Sequence, residues 1–374
     1  MKLQGYAEEA IQKNIPMTNR YGADEQAFVA EDIKTGQIVA LVGGVDFDNP
    51  EHGKINYAHN AYIPPGSSFK PYDYAALIDK TNTAGGGSVL YDQQGPLPGY
   101  PCTDKGLPPP KGKGNCLQDY DFRFPGPMTL RYAMGGSRNV PAVKANLIVG
   151  TDKVIDMAGK MMANPNNPKP YQCYEPGDET FTQVTPCYGA SAIGDGAFLH
   201  LDAHVNGLAT LARMGVAIPR TYIVKITDAS SKNLYEFKQP RSEQVIRPDS
   251  AYIVNDMASD PKASYLPSSY KFHDYKGHKF AIKTGTTNNG FDGLMASWSS
   301  QYATVAWVGH HTRNKALTGA MEYMTTPIIR TWMQKAHDDL KPEAWQKPSG
   351  VKTLPAYIVR VNPGIGAVVP SSCK

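Results

Sequence analysis

Residues 65–71 read PGSSFKP, and the rest of the chain is best interpreted outward from this stretch. The Pro-Gly pair breaks the chain, and the apolar residues that follow recur at helical spacing, which predicts a helix beginning here. Ser67 would lie where the loop becomes the helix, with Lys70 three residues along on the same face. The helix dipole would favour an alkoxide at Ser67. We therefore predict a serine nucleophile with a lysine as its base.

A second motif, Ser137-Arg138-Asn139, directly follows a Gly-Gly pair. The apolar residues on both sides of the glycines have helical spacing, so the motif is predicted at a break between two helices. At such a break a hydroxyl and an amide can project into a cleft. Ser137 is the candidate proton relay, and the amide of Asn139 is a second candidate site residue.

A third motif, KTGTT at residues 283–287, follows an apolar run that predicts a strand. A cation and hydroxyls at the end of a strand can bind a carboxylate, and a glycine there lets a substrate backbone approach closely. A nucleophile, a base, a relay and a carboxylate clamp are the parts of a serine acyltransferase that works without histidine. The residues assigned to the clamp are Lys283, Thr284, Gly285 and Thr286.

Each short motif also occurs elsewhere in the chain, so its context decides which copy carries chemistry. We assign Lys34-Thr35-Gly36 to a hairpin turn and the Ser-x-Asn at 231–233 to a polar turn. Four further Ser-x-x-Lys copies contain or follow a proline, or lie close to the C-terminus. These copies are at residues 259–262, 268–271, 349–352 and 371–374.

The length and composition indicate a globular chain that holds one large domain, or one domain plus appendages. Of the 374 residues, 41% are apolar and 19% are charged, and the net charge is +4 without a dense basic stripe. Nucleic-acid binding is therefore not expected. Strands are predicted at 27–33, 37–42, 279–283, 295–299 and 303–309. Helices are predicted at 3–11, 128–134, 140–149, 201–214, 245–259 and 326–337, with a polar connector at 14–25.

Four of the five cysteines form two pairs with equal spacing, and each pair bounds a Gly/Pro-rich loop. Neither pair has the Cys-x-x-Cys spacing of a zinc site. Two local disulfides, Cys102–Cys116 and Cys173–Cys187, are the favoured interpretation and imply an oxidising compartment. Five free thiols in a reducing cytosol are the alternative, and Cys373 stays unassigned.

The residues around the three motifs resemble the transpeptidase domain of class A, bifunctional penicillin-binding proteins. The matching segments are GGVDF (43–47), PGSSFKP (65–71), SRNVPAVK (137–144), KTGTT (283–287) and VAWVG (305–309). The resemblance implies an α/β (α+β) chain with the penicillin-binding/serine β-lactamase-like transpeptidase fold. Such a fold has a central antiparallel sheet flanked by helices and an all-helical subdomain. Residues 63–64 and 292–295 depart from the family's usual sequence near the cleft, which affects substrate preference more than chemistry.

The same resemblance implies a mechanism. Ser67 would attack the carbonyl between the two terminal D-alanines of a peptidoglycan stem peptide, with neutral Lys70 as the base. The pKa of a free lysine is about 10.4, which is too high for a neutral base. Burial and the nearby charge of Lys283 are therefore expected to lower the pKa of Lys70. Backbone N–H groups of Ser67 and Thr286 would form the oxyanion hole. Ser137 would then protonate the leaving D-alanine, and Asn139 would hydrogen-bond the donor peptide and Lys70.

The resemblance also implies the partners and the location. The donor would be a stem peptide ending in D-Ala-D-Ala, the acceptor an amine of a second stem peptide, and β-lactams would be covalent ligands. No cofactor, metal or nucleic acid is expected. The chain has neither a signal peptide nor an apolar stretch of about 20 residues. We therefore expect a fragment of a membrane-anchored parent, located outside the cytoplasm on the periplasmic side of the inner membrane or at the cell surface.

Three segments are expected along the chain: a linker helix and connector at 1–25, the transpeptidase domain at 26–341, and a tail at 342–374 that contains one short strand at 356–361. Two other functions stay open. One is a hydrolase on the same fold, either a D,D-carboxypeptidase or a β-lactamase, although no Glu-x-x-Leu-Asn segment is present. The other is a non-catalytic module that senses β-lactams or binds cell wall. His200 and His204 are four residues apart, but we interpret them as ordinary helix residues.

Overall fold

The computed structural model describes residues 2–100, 102, 116–162, 169–175, 178, 181–239, 241–287, 290–312 and 315–353. Within these residues, no helix combines the length and the apolar character needed to cross a membrane. The helices are α1 (Lys2–Arg20), α2 (Lys70–Thr81), α3 (Leu130–Gly135), α4 (Asn139–Val149), α5 (Thr151–Met161), α6 (Leu201–Ala212), α7 (Pro248–Ala258) and α8 (Met321–His337). Short 3-10 helices span Gly66–Phe69, Gly189–Ile193 and Ser268–Tyr270.

Strands from both halves of the chain form the main sheet. The strands, in chain order, are β1 (Glu25–Asp32), β2 (Ile38–Val42), β3 (Val89–Asp92), β4 (Gly126–Thr129), β5 (Gln172–Tyr174), β6 (Val184–Thr185), β7 (Ala197–Phe198), β8 (Val216–Ala217), β9 (Lys225–Thr227), β10 (Asn233–Glu236), β11 (Glu243–Gln244), β12 (Asp274–Tyr275), β13 (His278–Lys279), β14 (Ala281–Thr286), β15 (Asp292–Trp298) and β16 (Tyr302–Gly309). Five of them pair in the order β14-β15-β16-β1-β2, and every pairing is antiparallel. The predicted central antiparallel sheet is confirmed.

Both faces of this sheet are buried, each against its own set of helices. Side chains alternate along β1, so Ala27 and Val29 pack towards α6 while Phe28 and Ala30 pack towards α1 and α8. Helices α2, α4, α5 and α7 extend the first of these cores into a helical layer beside the sheet. The predicted all-helical subdomain is therefore present, and the cleft described below opens between it and the edge strand β14.

Helix α1 is longer than the sequence predicted. It continues to Arg20 through the segment that was expected to be a polar connector, and it contains Pro16. The polar side chains of this segment are buried because they have partners: the Asn14 amide donates to Gln26 Oε1 at 3.1 Å, and Gln26 donates to Thr18 Oγ1 at 3.0 Å. The prediction was wrong because these partners lie on β1, beyond the reach of a local pattern.

Residues 128–134, predicted as one helix, divide into the end of strand β4 and helix α3. Strand β4 pairs with β3, so Met128 lies opposite Leu90, and the helix starts only at Leu130. Thr129 lies at the junction, and its hydroxyl accepts a hydrogen bond from the Tyr132 N–H. Strand β4 forms because it pairs with β3. The spacing of apolar residues within 128–134 gives no information about that partner.

The structure joins both predicted cysteine pairs as disulfides, Cys102–Cys116 and Cys173–Cys187. Cys173 lies in β5 and is buried, so the second bridge fastens its loop to the helical side of the core. Cys373 and the strand predicted at 356–361 lie outside the described residues, as do residues 103–115 between the first two cysteines.

Candidate active site

Ser67 lies in the short 3-10 helix that leads into α2, at the transition that the sequence predicted. Gly66 has a φ of +53°, a conformation that glycine adopts without strain. A Cβ atom at this position would come within 2.6 Å of the Thr286 carbonyl oxygen and 2.8 Å of its nitrogen. The backbone before Ser67 therefore presses directly against the end of β14.

Lys70 is completely buried, and its ammonium group is held by the second motif. Its Nζ donates to the Ser137 carbonyl oxygen at 2.6 Å and to Asn139 Oδ1 at 2.7 Å, with Ser137 Oγ at 3.5 Å. The bond to Asn139 is the one that the family resemblance implied. The bond to the Ser137 carbonyl oxygen was not predicted, because the helix-face argument pointed only to Ser67. Two strong oxygen acceptors on the facing wall account for this orientation.

Burial lowers the pKa of Lys70 to about 7, against the opposing pull of the Asp119 and Asp73 carboxylates. The like charge that lowers it further is that of Arg138, where the sequence analysis had expected Lys283. Burial also lowers the pKa of Lys283 well below its ordinary value, and the charge of Lys70 adds to that effect. Both amines therefore favour the neutral form more than free lysines do.

Lys283, on β14, reaches the same serine from the opposite side. Its Nζ donates to Ser137 Oγ at 2.8 Å and to the Thr284 carbonyl oxygen at 2.9 Å. Ser137 has a φ of +53°, a left-handed conformation that directs the chain sharply from α3 into α4. The Ser137 hydroxyl therefore lies between two buried amines and can pass a proton to or from either.

Asn139 begins α4, and both its side chain and its backbone are fixed. Its amide nitrogen donates to the Gln118 carbonyl oxygen at 2.8 Å, so Oδ1 is the atom that faces Lys70. Its backbone N–H donates to Asp119 Oδ1. A segment just beyond the first disulfide thus sets the orientation of this amide.

Arg138, the middle residue of the second motif, was not predicted to have a role. It is buried, and its guanidinium lies 2.6 Å from Asp92 Oδ2, 2.9 Å from Asp121 Oδ1 and 3.4 Å from Asp119 Oδ2. It therefore ties β3 and residues 119–121 to the wall that carries Asn139. No local signal marks these aspartates, because they lie far from Arg138 in sequence.

These residues enclose an open cleft of about 310 Å³. Gly285 lies between the lining residues Thr284 and Thr286. A Cβ there would come within 2.5 Å of the Pro65 carbonyl oxygen, so the strand can lie this close to the Ser67 segment only without a side chain. Tyr265, which the sequence did not single out, has its hydroxyl 2.9 Å from Thr284 Oγ1. The cleft is lined by Ser67, Gln118, Asp119, Tyr120, Phe122, Ser137, Asn139, Ile193, Tyr265, Thr284, Thr286 and Thr287.

The other motif copies lie elsewhere. The Thr35 hydroxyl of the first Lys-Thr-Gly donates to Asp32 Oδ1 in the turn between β1 and β2. Ser231 lies with a φ of +66° in the turn between β9 and β10.

His204 is buried between Ser68 Oγ and the Tyr72 hydroxyl, at 2.9 and 3.0 Å, whereas His200 contacts the Ala61 carbonyl oxygen. The two histidines thus have different partners, as expected of ordinary helix residues.

Comparison with known protein families gives the same assignment for most of the chain. The family model described as "Penicillin binding protein transpeptidase domain" matches residues 26–338. The chain belongs to this transpeptidase family. The predicted resemblance to class A penicillin-binding proteins is supported by curated relatives that are described as penicillin-binding protein 1A.

Penicillin-binding protein 1A of Clostridium perfringens strain ATCC 13124 is 28% identical over 345 residues, covering 86% of this chain and 36% of the relative. The Aquifex aeolicus protein is 28% identical over 355 residues, covering 94% and 42%. The chain thus spans about two fifths of the length of these transpeptidase-family relatives.

Among solved structures, the PonA1 protein of Mycobacterium tuberculosis in complex with penicillin V superimposes with a TM-score of 0.72 at 21% sequence identity. The match covers 97% of this chain and 90% of that one. The predicted penicillin-binding transpeptidase fold is therefore confirmed.

Proposed function

We propose that this domain is a serine D,D-transpeptidase that cross-links peptidoglycan stem peptides through an acyl-enzyme on Ser67. The observation that carries the proposal is the environment of Lys70. Its amine is buried, has a pKa lowered to about 7 and is held by Ser137 and Asn139 in the wall of the cleft that Ser67 lines. A base with a pKa near the working pH is what proton abstraction from a serine requires.

In the acylation step, the neutral Lys70 amine accepts the Ser67 hydroxyl proton while the oxygen bonds to the carbonyl carbon of the penultimate D-alanine. The Ser137 hydroxyl lies between Lys70 and Lys283, so it can deliver a proton to the nitrogen of the departing D-alanine. The C–N bond breaks, D-alanine leaves, and an ester on Ser67 remains. The acceptor amine then attacks this ester, releases Ser67 and forms the cross-linking amide.

The contact between the Ser67 segment and β14 supports an oxyanion hole made by the backbone N–H groups of Ser67 and Thr286. Gly66 brings the two backbones within van der Waals contact, so both N–H groups can serve one oxygen. The hydroxyls of Thr284 and Thr286, together with Lys283, would bind the terminal carboxylate of the donor. Burial lowers the pKa of Lys283 and so disfavours its charged form. The donor carboxylate would stabilise that charged form.

One feature of the cleft favours transfer to an amine over hydrolysis. Among the described residues that line it, Asp119 has the one carboxylate. Its Oδ1 accepts the Asn139 N–H and its Oδ2 lies 3.4 Å from Arg138. A carboxylate held in this way is poorly placed to activate a water molecule against the acyl-enzyme, so a carboxypeptidase or β-lactamase is the less favoured function.

The setting of the domain is part of the same proposal. The disulfides support an extracytoplasmic location, on the periplasmic side of the inner membrane or at the cell surface, since such bonds persist in oxidising compartments. Attachment to a membrane would come through segments of a longer parent. We also propose the division into 1–25, 26–341 and 342–374, although α1 packs against α8 on the sheet.

Intact mass spectrometry after incubation with a penicillin tests the acyl-enzyme. We expect one persistent adduct per chain, absent in Ser67→Ala. The matched control is Ser268→Ala, because Ser268 heads another Ser-x-x-Lys sequence in an exposed 3-10 helix and should keep the adduct. An adduct that survives Ser67→Ala would exclude Ser67 as the nucleophile.

A peptide assay separates the candidate functions. The protein is given a donor ending in D-Ala-D-Ala and an amine acceptor, and products are identified by mass. Cross-linked product supports the proposal. Donor that only loses D-alanine indicates a carboxypeptidase, rapid turnover of the penicillin adduct indicates a β-lactamase, and a stable adduct without peptide products indicates a sensing module.

A further inference from the structure

A second cluster of chemically active side chains lies at the same end of the sheet as Thr286, but on the neighbouring strands β16 and β1. Asp24 immediately precedes β1, His311 follows β16, and His52 lies in the segment after β2. One ligand atom from each of these three residues lies within 4.8 Å of the others. Three segments that are distant in sequence thus bring two imidazoles and a carboxylate to one point.

The side chains of this cluster are already held in position. The His52 and His311 rings stack at 4.3 Å with only 5° between their planes. Asp24 accepts the His311 backbone N–H at 2.8 Å, and its Oδ2 lies 2.7 Å from His311 Nδ1 and 3.1 Å from His310 Nε2. A single carboxylate therefore faces two imidazoles, with the third stacked beside them.

A buried carboxylate stands behind the cluster. Glu25 is fully buried, and its Oε1 lies 2.5 Å from His52 Nδ1 while its Oε2 accepts the Val45 N–H at 3.0 Å. A carboxylate bonded to one imidazole nitrogen fixes the tautomer and leaves the other nitrogen as a lone-pair donor. That carboxylate–histidine arrangement is the usual support of a metal-binding histidine.

We propose that Asp24, His52 and His311 form a binding site for a divalent transition-metal ion of the zinc type. Imidazole nitrogen with one carboxylate oxygen is a donor set that suits zinc, whereas calcium and magnesium prefer oxygen ligands alone. His310 or water would complete the coordination. The site is independent of the proposed peptidase chemistry and lies two strands away from β14.

The metal would fasten the segment that leads to Ser67. Residues 43–62 connect β2 to that segment, and Tyr57 within it stacks on Trp307 at 5.0 Å. Asp24 and His311 belong to the ends of paired strands, since Glu25 lies opposite Gly309. A metal bound to these two residues and to His52 would therefore add a cross-link between the segment and the end of the sheet.

Isothermal titration calorimetry of the chelator-treated protein with ZnCl2 tests the site. We expect one zinc ion per chain and a rise in Tm when zinc is present. His311→Gln removes a ligand and should weaken zinc binding at least about 10-fold, and Glu25→Gln about 10- to 100-fold. The matched control is His59→Gln, since His59 pairs with Asp202 at another place on the surface and should keep the zinc affinity.

Cobalt gives a second measurement that needs no variant. Co²⁺ bound by two imidazoles and a carboxylate should produce a visible absorption band in the wild-type protein, and one equivalent of Zn²⁺ should remove it. The proposal is overturned if the folded wild-type protein shows neither saturable zinc uptake nor this band. It is equally overturned if His311→Gln and His59→Gln bind zinc as the wild type does.

Discussion

At the scale of the residue, the site is governed by two buried lysines that share one hydroxyl. Lys70 and Lys283 approach Ser137 Oγ from opposite sides, at 3.5 and 2.8 Å. Burial disfavours the charged form of both, and their proximity adds repulsion. The Lys70 amine is therefore partly neutral near neutral pH. An exposed lysine in the same sequence motif would be fully charged there.

The first prediction concerns the pH dependence of acylation. Only neutral Lys70 can accept the Ser67 proton, so the rate of acylation by a penicillin should rise with pH and reach half its maximum near the Lys70 pKa of about 7. Lys70→Ala should lower the rate by about 10²- to 10⁴-fold. Stopped-flow measurements of acylation across the pH range check both effects.

The matched control for that experiment is Lys262→Ala. Lys262 ends another Ser-x-x-Lys sequence but is exposed, so its loss should leave the rate and its pH profile unchanged. A rate that falls as pH rises through the same range would contradict the assignment of Lys70 as the base.

The second prediction concerns Arg138. Replacing it with methionine leaves the buried Asp119 carboxylate without its cation, and breaking a buried ion pair from one side costs roughly 3–5 kcal/mol. Asp92 contributes less to this cost near neutral pH, because burial and Asp119 raise its pKa to about 8. Acylation should also slow, because Asp119 orients the Asn139 backbone. Urea unfolding monitored by tryptophan fluorescence gives the free energy of unfolding.

Lys276→Met is the control for Arg138→Met. The Lys276–Asp338 pair is exposed, so removing its cation should leave the unfolding midpoint unchanged. If the two variants unfold at the same urea concentration, Arg138 does not stabilise the wall of the cleft.

At the scale of the element, the decisive contact is between the start of α2 and the edge strand β14. Strand β14 lies at the edge of the sheet, and the 3-10 helix that contains Ser67 packs against its end. Gly66 and Gly285 allow this approach because each would place a Cβ within 2.6 Å of backbone on the other element. The proposed nucleophile and the proposed carboxylate clamp are therefore positioned by one backbone contact.

The third prediction tests this contact with Gly66→Ala. The new methyl group would clash with Thr286 backbone, and the residue would keep a positive φ that alanine adopts only with strain of roughly 1–2 kcal/mol. We expect lower stability and a marked loss of penicillin acylation, because Ser67 and Thr286 must separate. Thermal unfolding and the adduct mass measure the two effects.

Gly5→Ala is the matched glycine control. Gly5 is an exposed position inside α1, and a Cβ there meets no atom within 4 Å. This substitution should stabilise the helix by roughly 0.5–1 kcal/mol and leave acylation unchanged. Equal acylation by Gly66→Ala and the wild type would refute the positional role of the backbone contact.

At the scale of the whole molecule, one five-stranded sheet joins the N-terminal and C-terminal parts of the chain. Strand β1 pairs with β16, so residues 25–32 contact residues 302–309 along their full length. The long segment between β2 and β14 supplies α2–α7 and the two disulfides on the helical side. The cleft lies where this inserted helical part meets the edge strand β14.

The fourth prediction concerns the disulfide between Cys173 and Cys187, which closes a loop with a sequence separation of 14. A bridge closing a loop of about 15 residues is worth roughly 3 kcal/mol in the chain-entropy model. Cys173→Ser/Cys187→Ser should therefore lower the free energy of unfolding by about that amount. Urea denaturation without reductant measures it, and Cys373→Ser is the control that keeps both disulfides. A double variant as stable as this control would contradict the prediction.

The sequence by itself determined the family and the central sheet, and it named the residues to which we assign the proposed chemistry. Its motifs are local: Ser67 and Lys70 share a helix start, and residues 283–287 end a strand, so short-range pattern and turn chemistry were enough to place them. The cysteine spacing likewise predicted both disulfides, because each pair is close in sequence. The full length of helix α1 and strand β4 were missed because their partners lie outside the local sequence pattern, as was the bond from Lys70 to the Ser137 carbonyl oxygen.

Only the tertiary structure decided how the motifs combine. It turned Lys70 towards Ser137 and Asn139, surrounded Arg138 with carboxylates, and brought Asp24, His52 and His311 together. Burial and the approach of groups from remote segments set these contacts and the lowered lysine pKa values. Both depend on the folded chain as a whole, because the energy of a buried charge is fixed by whichever atoms surround it and not by its neighbours in sequence.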